Sequence, residues 1–262
     1  MRGGAYMNAE QRQKTVMSFL HEADICVVCA DVVDSTNAVL RKEASGGAQE
    51  GLGLLADRQT AGRGRGDHSF RSPGGCGIYM SILLRPSLPM TQIPLITPMT
   101  AVAVADAVME ICGVQCGIKW VNDLYAGEKK VGGILVEGAA DGNGHLDYAV
   151  CGIGINVYEP EGGFPQEIQT IAGALLSERT DPLLRERLAA SVLTHFFRLY
   201  RALPDRGFLG AYRDRSVLQN RYVTVREKTA LVYGIDDDCR LLVRYADEST
   251  EALDSGEVSI RL

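Results

Sequence analysis

The chain has 262 residues, 46% of them apolar and 23% charged, with a formal net charge of −6. That length suits one large domain, or one large and one small, around a sizeable core. The acidic balance argues against a non-specific nucleic-acid or membrane-surface binder, and no run approaches the roughly twenty uninterrupted apolar residues of a membrane helix.

The opening stretch, MRGGAYMNAEQRQK, lacks the apolar core of a secretion signal. Residues 15–23 read as a short helix leading into an apolar strand at 25–30. Residues 37–45 read as a second helix, with Ser35 or Thr36 as its cap. A strand begins at Gly53 and reaches Ala56 or beyond. Residues 61–75 carry too much glycine and charge for regular structure and read as a loop. A buried strand follows at 77–84, then a helix at 98–112 that is apolar all around its period. Residues 114–119, 130–137 and 147–157 alternate or run apolar like strands. Residues 183–203 form the longest amphipathic helix. Beyond Val217 the character changes: short strands at 222–226, 231–235, 240–245 and 258–261 predict a small β-barrel. The expected division is therefore 1–216 and 217–262.

The seven cysteines (26, 29, 76, 112, 116, 151, 239) are odd in number and sit mostly in apolar stretches. They fit reduced, buried thiols in cytoplasm better than a disulfide framework. Neither Cys26/Cys29 nor Cys112/Cys116 has the histidine neighbours of a metal site.

Two segments carry the chemistry. The first is Gln59-Thr60-Ala61-Gly62-Arg63-Gly64-Arg65-Gly66. Its glycines let backbone approach a ligand, and its arginines suit phosphate oxygens. The second is Lys119-Trp120-Val121-Asn122-Asp123 with Lys129-Lys130-Val131-Gly132-Gly133-Ile134 shortly after. A strand-end Lys119 presents a point charge to phosphate. Asn122 and Asp123 suit magnesium, which takes few protein oxygens and many phosphate oxygens. Lysines, an amide and a carboxylate are the parts needed to hold two anionic reactants together.

These segments resemble the biotin protein ligase family. The likeness starts at Asp34-Ser35-Thr36-Asn37 and runs through the two segments above. It continues with Gly152-Ile153-Gly154-Ile155-Asn156-Val157 and ends with Glu257-Val258-Ser259-Ile260-Arg261. The resemblance implies an α+β fold, a mixed β-sheet backed by helices, as in class II synthetases, with a small C-terminal β-barrel. It implies activation of biotin by Mg2+-ATP to biotinyl-adenylate, then transfer to a lysine of a biotin carboxyl carrier domain.

In that reading Ser35, Thr36 and Asn37 bind the ureido ring, although a helix cap explains the same residues. Gln59, Gly62 and Arg63 meet the biotin head and carboxylate, and Gly132 and Gly133 let biotin lie against the strand. Lys130 touches the biotin carboxylate and the α-phosphate together, while Lys129 faces solvent. Arg65 guards the intermediate and contacts phosphate, and Arg63 also lies near the nucleotide. Phe70 keeps an aromatic anchor, and Lys119, Trp120, Asn122, Asn156 and Arg261 serve the nucleotide. Trp120 reads more readily as packing than as a stacking surface. Asp123 is the metal ligand and, with Lys130 and Arg65, a catalytic residue that could steer the acceptor lysine. Residues 159–169 are expected to be disordered without ligand and to fold over the adenosine.

Gly66-Asp67-His68-Ser69-Phe70 departs from the family's common form, which carries more positive charge there. Either His68 replaces the missing base, or the adenylate is held less tightly. Roughly twenty residues precede the first strand, too few for a helix-turn-helix domain, so a ligase without a repressor role is expected. A homodimer through sheet edges is left open. The competing readings are a lipoate or octanoate ligase, a non-catalytic biotin-adenylate sensor and a generic nucleotide binder. The presence of Lys119, Asp123 and Lys130 speaks for catalysis.

Overall fold

A computed structural model describes residues 7–20, 24–66, 68–141, 145–254 and 259–260. The first helix, α1 (Ala9–Phe19), starts earlier than its apolar period suggested. Asn8 and Gln11 form a reciprocal capping box that fixes its N-terminus. Strand β1 (Cys26–Val33) leads into α2 (Thr36–Ser45), and Ser35 is the cap, its hydroxyl accepting from the Ala38 N–H. Strand β2 (Leu52–Gln59) extends past Ala56 and delivers Gln59 to its end. Strand β3 (Gly77–Leu84) is buried along its whole length. A 3₁₀ turn (Met90–Leu95) then precedes α3 (Ile96–Cys112).

Strand β4 (Gly117–Lys119) pairs with β5 (Asp123–Ala126), a short hairpin the periodicity did not reveal. Strands β6 (Lys129–Ala140) and β7 (Leu146–Asn156) are long, and β7 is followed at a distance by α4 (Leu184–Arg201) and α5 (Leu209–Asp214).

The seven strands form one sheet in the order β1-β2-β3-β7-β6-β5-β4. The β1–β2 pair is parallel and the other neighbours are antiparallel. Alternation along the strands gives the sheet two apolar faces. Leu55, Ile78, Met80, Ile82 and Ile153 join the main core with α1, α3 and α4. Leu54, Leu83 and Val150 meet Leu40 and Ala44 of α2 on the other face. The stretch Met90–Cys112 is long and apolar enough by composition to cross a bilayer, but here it is a core helix, with residues such as Met99, Ala103 and Ala107 fully buried.

Arg12 of α1 is 2% exposed and lies 3.3 Å from Asp57 and 3.5 Å from Glu186. A buried charge is tolerated only with such partners, so this cluster fixes α1 against β2 and α4.

The C-terminal strands β8 (Tyr222–Val225), β9 (Lys228–Ile235), β10 (Leu241–Tyr245), β11 (Thr250–Leu253) and β12 (Ser259–Ile260) form a second, antiparallel sheet. Its order is β11-β10-β9-β8-β12 and its edges do not pair, so among the described residues it is open where a barrel was expected. The edge strand β11 has four residues, short for the tilt and stagger that closing a sheet requires. The two sheets are joined by Trp120, whose indole N–H donates to the Cys239 carbonyl at 2.8 Å.

Candidate active site

A cleft of about 340 Å³ crosses the sheet from the end of β2 to β4. Glycines make its floor. On β7, Gly152 and Gly154 share one side while Ile153 and Ile155 fill the core on the other. A Cβ on Gly154 would lie 2.6 Å from the Phe70 ring, and one on Gly152 would fall on the Asn37 amide. The missing side chains are therefore what admit Phe70 and Asn37. Phe70 is steadied edge-on by Tyr79, with centroids 6.3 Å apart.

At the β2 end the polar groups are tied to one another. Gln59 Oε1 accepts from the Thr36 N–H at 2.8 Å and from its hydroxyl at 3.1 Å, and Gln59 Nε2 donates to Ser72 Oγ at 2.8 Å. The buried Ser81 hydroxyl lies 2.6 Å from Asn37 Oδ1 and 2.7 Å from Thr36 Oγ1. Asn37 Nδ2 donates to Glu137 Oε2 at 2.8 Å and to the Leu135 carbonyl at 3.3 Å. The Thr36 backbone amide is thus committed to Gln59. Among the described residues the network leaves one Gln59 N–H and the Ser35 O–H as uncommitted donors on this wall.

At the β4 end the charged groups converge. Lys130 Nζ lies 2.7 Å from Asp123 Oδ1. A bulge puts Lys130 on the cleft face. Leu124 pairs with Gly132 and Tyr125 with Lys130, so Val131 has no partner across the ladder and turns into the core. Lys130 and Gly133 consequently share a side, and both line the cleft. Arg65 reaches from the glycine loop to Asn122 Oδ1 at 3.3 Å, and Asn122 Nδ2 donates to the Ile134 carbonyl at 3.0 Å. Burial, and then the Asp123 charge, push the Tyr125 phenol above its ordinary value, so it remains a donor.

The glycine loop folds back on itself. Phe70 N–H donates to the Gly62 carbonyl at 2.9 Å, Gly64 N–H to the His68 carbonyl at 2.8 Å, and Arg63 bridges Ser69. This small hairpin brings Arg63, Arg65, His68 and Phe70 to the cleft. Asp67 lies outside the described residues.

Most of the residues singled out from sequence therefore meet here: Ser35, Thr36, Asn37 and Gln59 at one end, Lys119, Asn122, Asp123, Lys130 and Gly133 at the other, with the loop residues above. Others do not. Gly132 faces away, its missing Cβ directed at the Gly154 carbonyl and the Leu124 side chain, because neighbours on a strand alternate. Gly62 is buried under the hairpin, where a Cβ would strike Phe70 and Ser72. Asn156 donates to the Gly173 carbonyl at 3.0 Å and does not line the cleft. Trp120 borders the cleft but is only 5% exposed and serves as packing. Arg261 lies outside the described residues.

Of residues 159–169, expected to fold over the adenosine, the C-terminal end is tied to β6. Lys129 is exposed, as expected, and also donates to the Gln169 carbonyl at 3.1 Å and the Thr170 carbonyl at 2.8 Å. Lys130 N–H bonds the Ile171 carbonyl and Gly173 N–H bonds the Lys130 carbonyl, so the following residues lie along β6. Ile171, 53% exposed, borders the cleft from this strap.

Sequence reasoning missed Ser81, Glu137 and the floor role of Gly152 and Gly154. The signals were a lone serine in an otherwise apolar strand, and glycines repeating every second residue.

Among the described residues no group of three or more His, Cys, Asp or Glu is placed to hold a metal. Asn122 Oδ1 is taken by Arg65 and Asp123 Oδ1 by Lys130. One remaining Asp123 oxygen cannot make a protein cage, but it suits a magnesium ion whose other ligands are phosphate oxygens and water.

A profile described as the Biotin/lipoate A/B protein ligase family matches residues 29–156, and one described as the Biotin protein ligase C terminal domain matches residues 220–261. The bifunctional ligase/repressor BirA of Bacillus subtilis is 37% identical over 178 residues, covering 68% of this chain and 54% of that protein. The chain thus spans about half the length of the first curated relatives it matches. The biotin--[acetyl-CoA-carboxylase] ligase of Mycobacterium tuberculosis is 30% identical over 221 residues, 79% of each chain. A solved structure of biotin protein ligase from Aquifex aeolicus in complex with biotin and ATP superposes with a TM-score of 0.73 at 28% identity, covering 90% of this chain and 98% of that one.

Proposed function

The chain belongs to the biotin/lipoate A/B protein ligase family, and from that premise we propose that it activates biotin with ATP and transfers it to a protein lysine. The observation that carries this reading is one cleft with two unlike ends. One end gathers Lys130, Lys119, Arg65 and Asp123; the other is a wall of committed amides and hydroxyls.

A urea ring offers one acceptor and two donors. The uncommitted Gln59 N–H and Ser35 O–H can serve its oxygen, and the second lone pairs of Thr36 Oγ1 and Asn37 Oδ1 can serve its N–H groups. The glycine floor leaves an apolar slot for the thioether and alkyl chain. The acid tail then arrives at the cationic end.

In the first step a biotin carboxylate oxygen attacks the α-phosphorus of ATP. The bond from that phosphorus to the bridging oxygen breaks, and pyrophosphate leaves. Lys130 offsets the repulsion between the two anions and the charge that grows on the phosphoryl oxygens, and Arg65 adds a second cation there. Magnesium enters with ATP as part of the substrate, meeting the remaining Asp123 oxygen. In the second step a neutral lysine amine attacks the carbonyl carbon of the mixed anhydride. The C–O bond to AMP breaks, an amide forms, and the amine gives up a proton, for which the Asp123 carboxylate is the acceptor on this reading. The strap carrying Ile171 shields the anhydride from water. The acceptor on this reading is a biotin carboxyl carrier domain. Free thiols at all seven cysteines favour a reducing compartment such as cytoplasm.

Purified protein given biotin, ATP and magnesium should release about one equivalent of pyrophosphate per site without acceptor, and turn over when a carrier domain is added. Folded protein that releases none is not such a ligase. Lipoate in place of biotin should give neither release nor a thermal shift; equal response to lipoate would favour the lipoate reading.

A further inference from the structure

Glu137 lies near the far end of β6 from Lys130 and has no part in the chemistry described above. Its side chain is 17% exposed, and three donors from other segments converge on it. Arg63 of the glycine loop lies 3.2 Å from Oε1. Arg41 of α2 lies 3.3 Å from the same oxygen. Asn37 donates to Oε2 at 2.8 Å. Two of the three, Arg63 and Asn37, line the cleft. The carboxylate therefore ties the glycine-flanked hairpin to the start of α2 and the sheet.

From this geometry we infer that Glu137 is a positioning residue: it closes the arginine hairpin over the biotin end of the cleft and so sets how long biotin and biotinyl-adenylate stay bound. The inference rests on the ligase reading.

Two effects of the carboxylate oppose each other. Glu137 competes with a substrate anion for Arg63, which would weaken binding. It also removes the freedom of a long, half-exposed side chain, which strengthens it. The second effect dominates because Arg41 shares Oε1. With that second cation present, Arg63 can turn toward a ligand without leaving a half-buried charge unpaired. Asn37 adds a further constraint. Its amide is oriented by Glu137 and Leu135 on one side and Ser81 on the other, so the carboxylate also decides which way the Asn37 oxygen points.

The substitution Glu137→Gln keeps the shape and one acceptor, which can still serve Asn37, but loses the charge that holds Arg63. Because Arg63 is about half exposed, the tie is discounted toward the weaker charge-assisted bonds. The expected changes are a roughly tenfold rise in the KM for biotin and a similar rise in the rate at which biotinyl-adenylate leaves in the absence of acceptor. The fall in kcat for acceptor labelling should be no more than about threefold. A purely structural role would lower kcat and the melting temperature together, without that split. Glu137→Asp keeps the charge on a shorter arm and should restore part of the retention.

Arg41→Ala removes the cation that shares Oε1, leaves Arg63 more firmly held on Glu137, and should release adenylate faster than the parent. Release from Glu137→Gln at the parental rate, or slower, overturns the inference. So does release at the parental rate from Arg41→Ala, which would show that the shared Oε1 does not free Arg63 for a ligand. A parent protein that forms no adenylate defeats the ligase reading itself, and that is measured first in the same assay.

Discussion

Replacing Gly152 by alanine tests whether the polar wall of the cleft is rigid. A Cβ there would sit 3.0 Å from Asn37 Cγ and 3.1 Å from Nδ2, and nearer still to Oδ1. Asn37 has no room to step aside. It is buried, and its amide is fixed by Ser81, Leu135 and Glu137. Breaking one such buried bond costs about 1–3 kcal/mol, and overfilling a packed site costs about 1–3 kcal/mol more. Together they amount to roughly 2–6 kcal/mol. In a chain of this size that lowers Tm by roughly 5–20 °C. Thermal unfolding followed by circular dichroism measures it, and calorimetric titration with biotin should show weakened binding in the same variant. Gly207→Ala, where a Cβ meets nothing within 4 Å, serves as the comparison and should shift little. If Gly152→Ala melts with the parent and binds biotin equally well, Asn37 is free to move and the rigid-wall argument fails.

Lys129→Ala should loosen the strap: hydrogen exchange over residues 165–173 and loss of biotinyl-adenylate should each rise roughly two- to fivefold, the worth of a cation on terminal carbonyls. Lys129→Arg should behave as the parent, and unchanged exchange in the alanine variant would show that Lys129 does not hold the strap. Burial raises the thiols of Cys29, Cys112 and Cys116 to about 11 and those of Cys151 and Cys239 to about 12, and Cys76 is also buried. A thiol reagent at pH 8 should therefore react quickly with Cys26 alone; two or more fast thiols in native protein would contradict that burial. Hydrogen bonds from His195 and then Ser191 hold the Glu110 carboxyl below its ordinary 4.5. A folded-state value below the unfolded one gives stability that is present above 4.5 and lost as pH falls through the lowered value. His195→Phe should flatten that acid limb in urea unfolding, and an unaltered limb would remove His195 from the linkage.

Much of the site was legible because its chemistry is concentrated in two short segments. Lys119, Asn122, Asp123 and Lys130 all reach the cleft, as their residue types suggested. The long strands and α4 were legible for the same kind of reason, since periodicity survives over ten or more residues. What was hidden depended on contacts distant in sequence or on local irregularity. Gly132 could be told from Gly133 only through the bulge at Val131, which no periodicity reveals. Glu137 gains meaning only when Asn37 and Arg63 fold onto it. Lys129 is exposed, as strand alternation suggested, but alternation could not show that it also holds carbonyls about forty residues away. The start of α1 was missed because a polar capping box, not an apolar stripe, sets it. The barrel was expected from strand spacing, but closure depends on strand length and coil, which spacing does not report.

Biotin-dependent exchange of labelled pyrophosphate into ATP probes the joining of acid to nucleotide without any acceptor protein. The parent should exchange readily. Lys130→Ala, which removes the ammonium seated 2.7 Å from Asp123, should fall by roughly a hundred- to a thousandfold with its fold intact. Exchange at close to the parental rate in that variant would mean that the ammonium at residue 130 does not stabilise the transferring phosphoryl group.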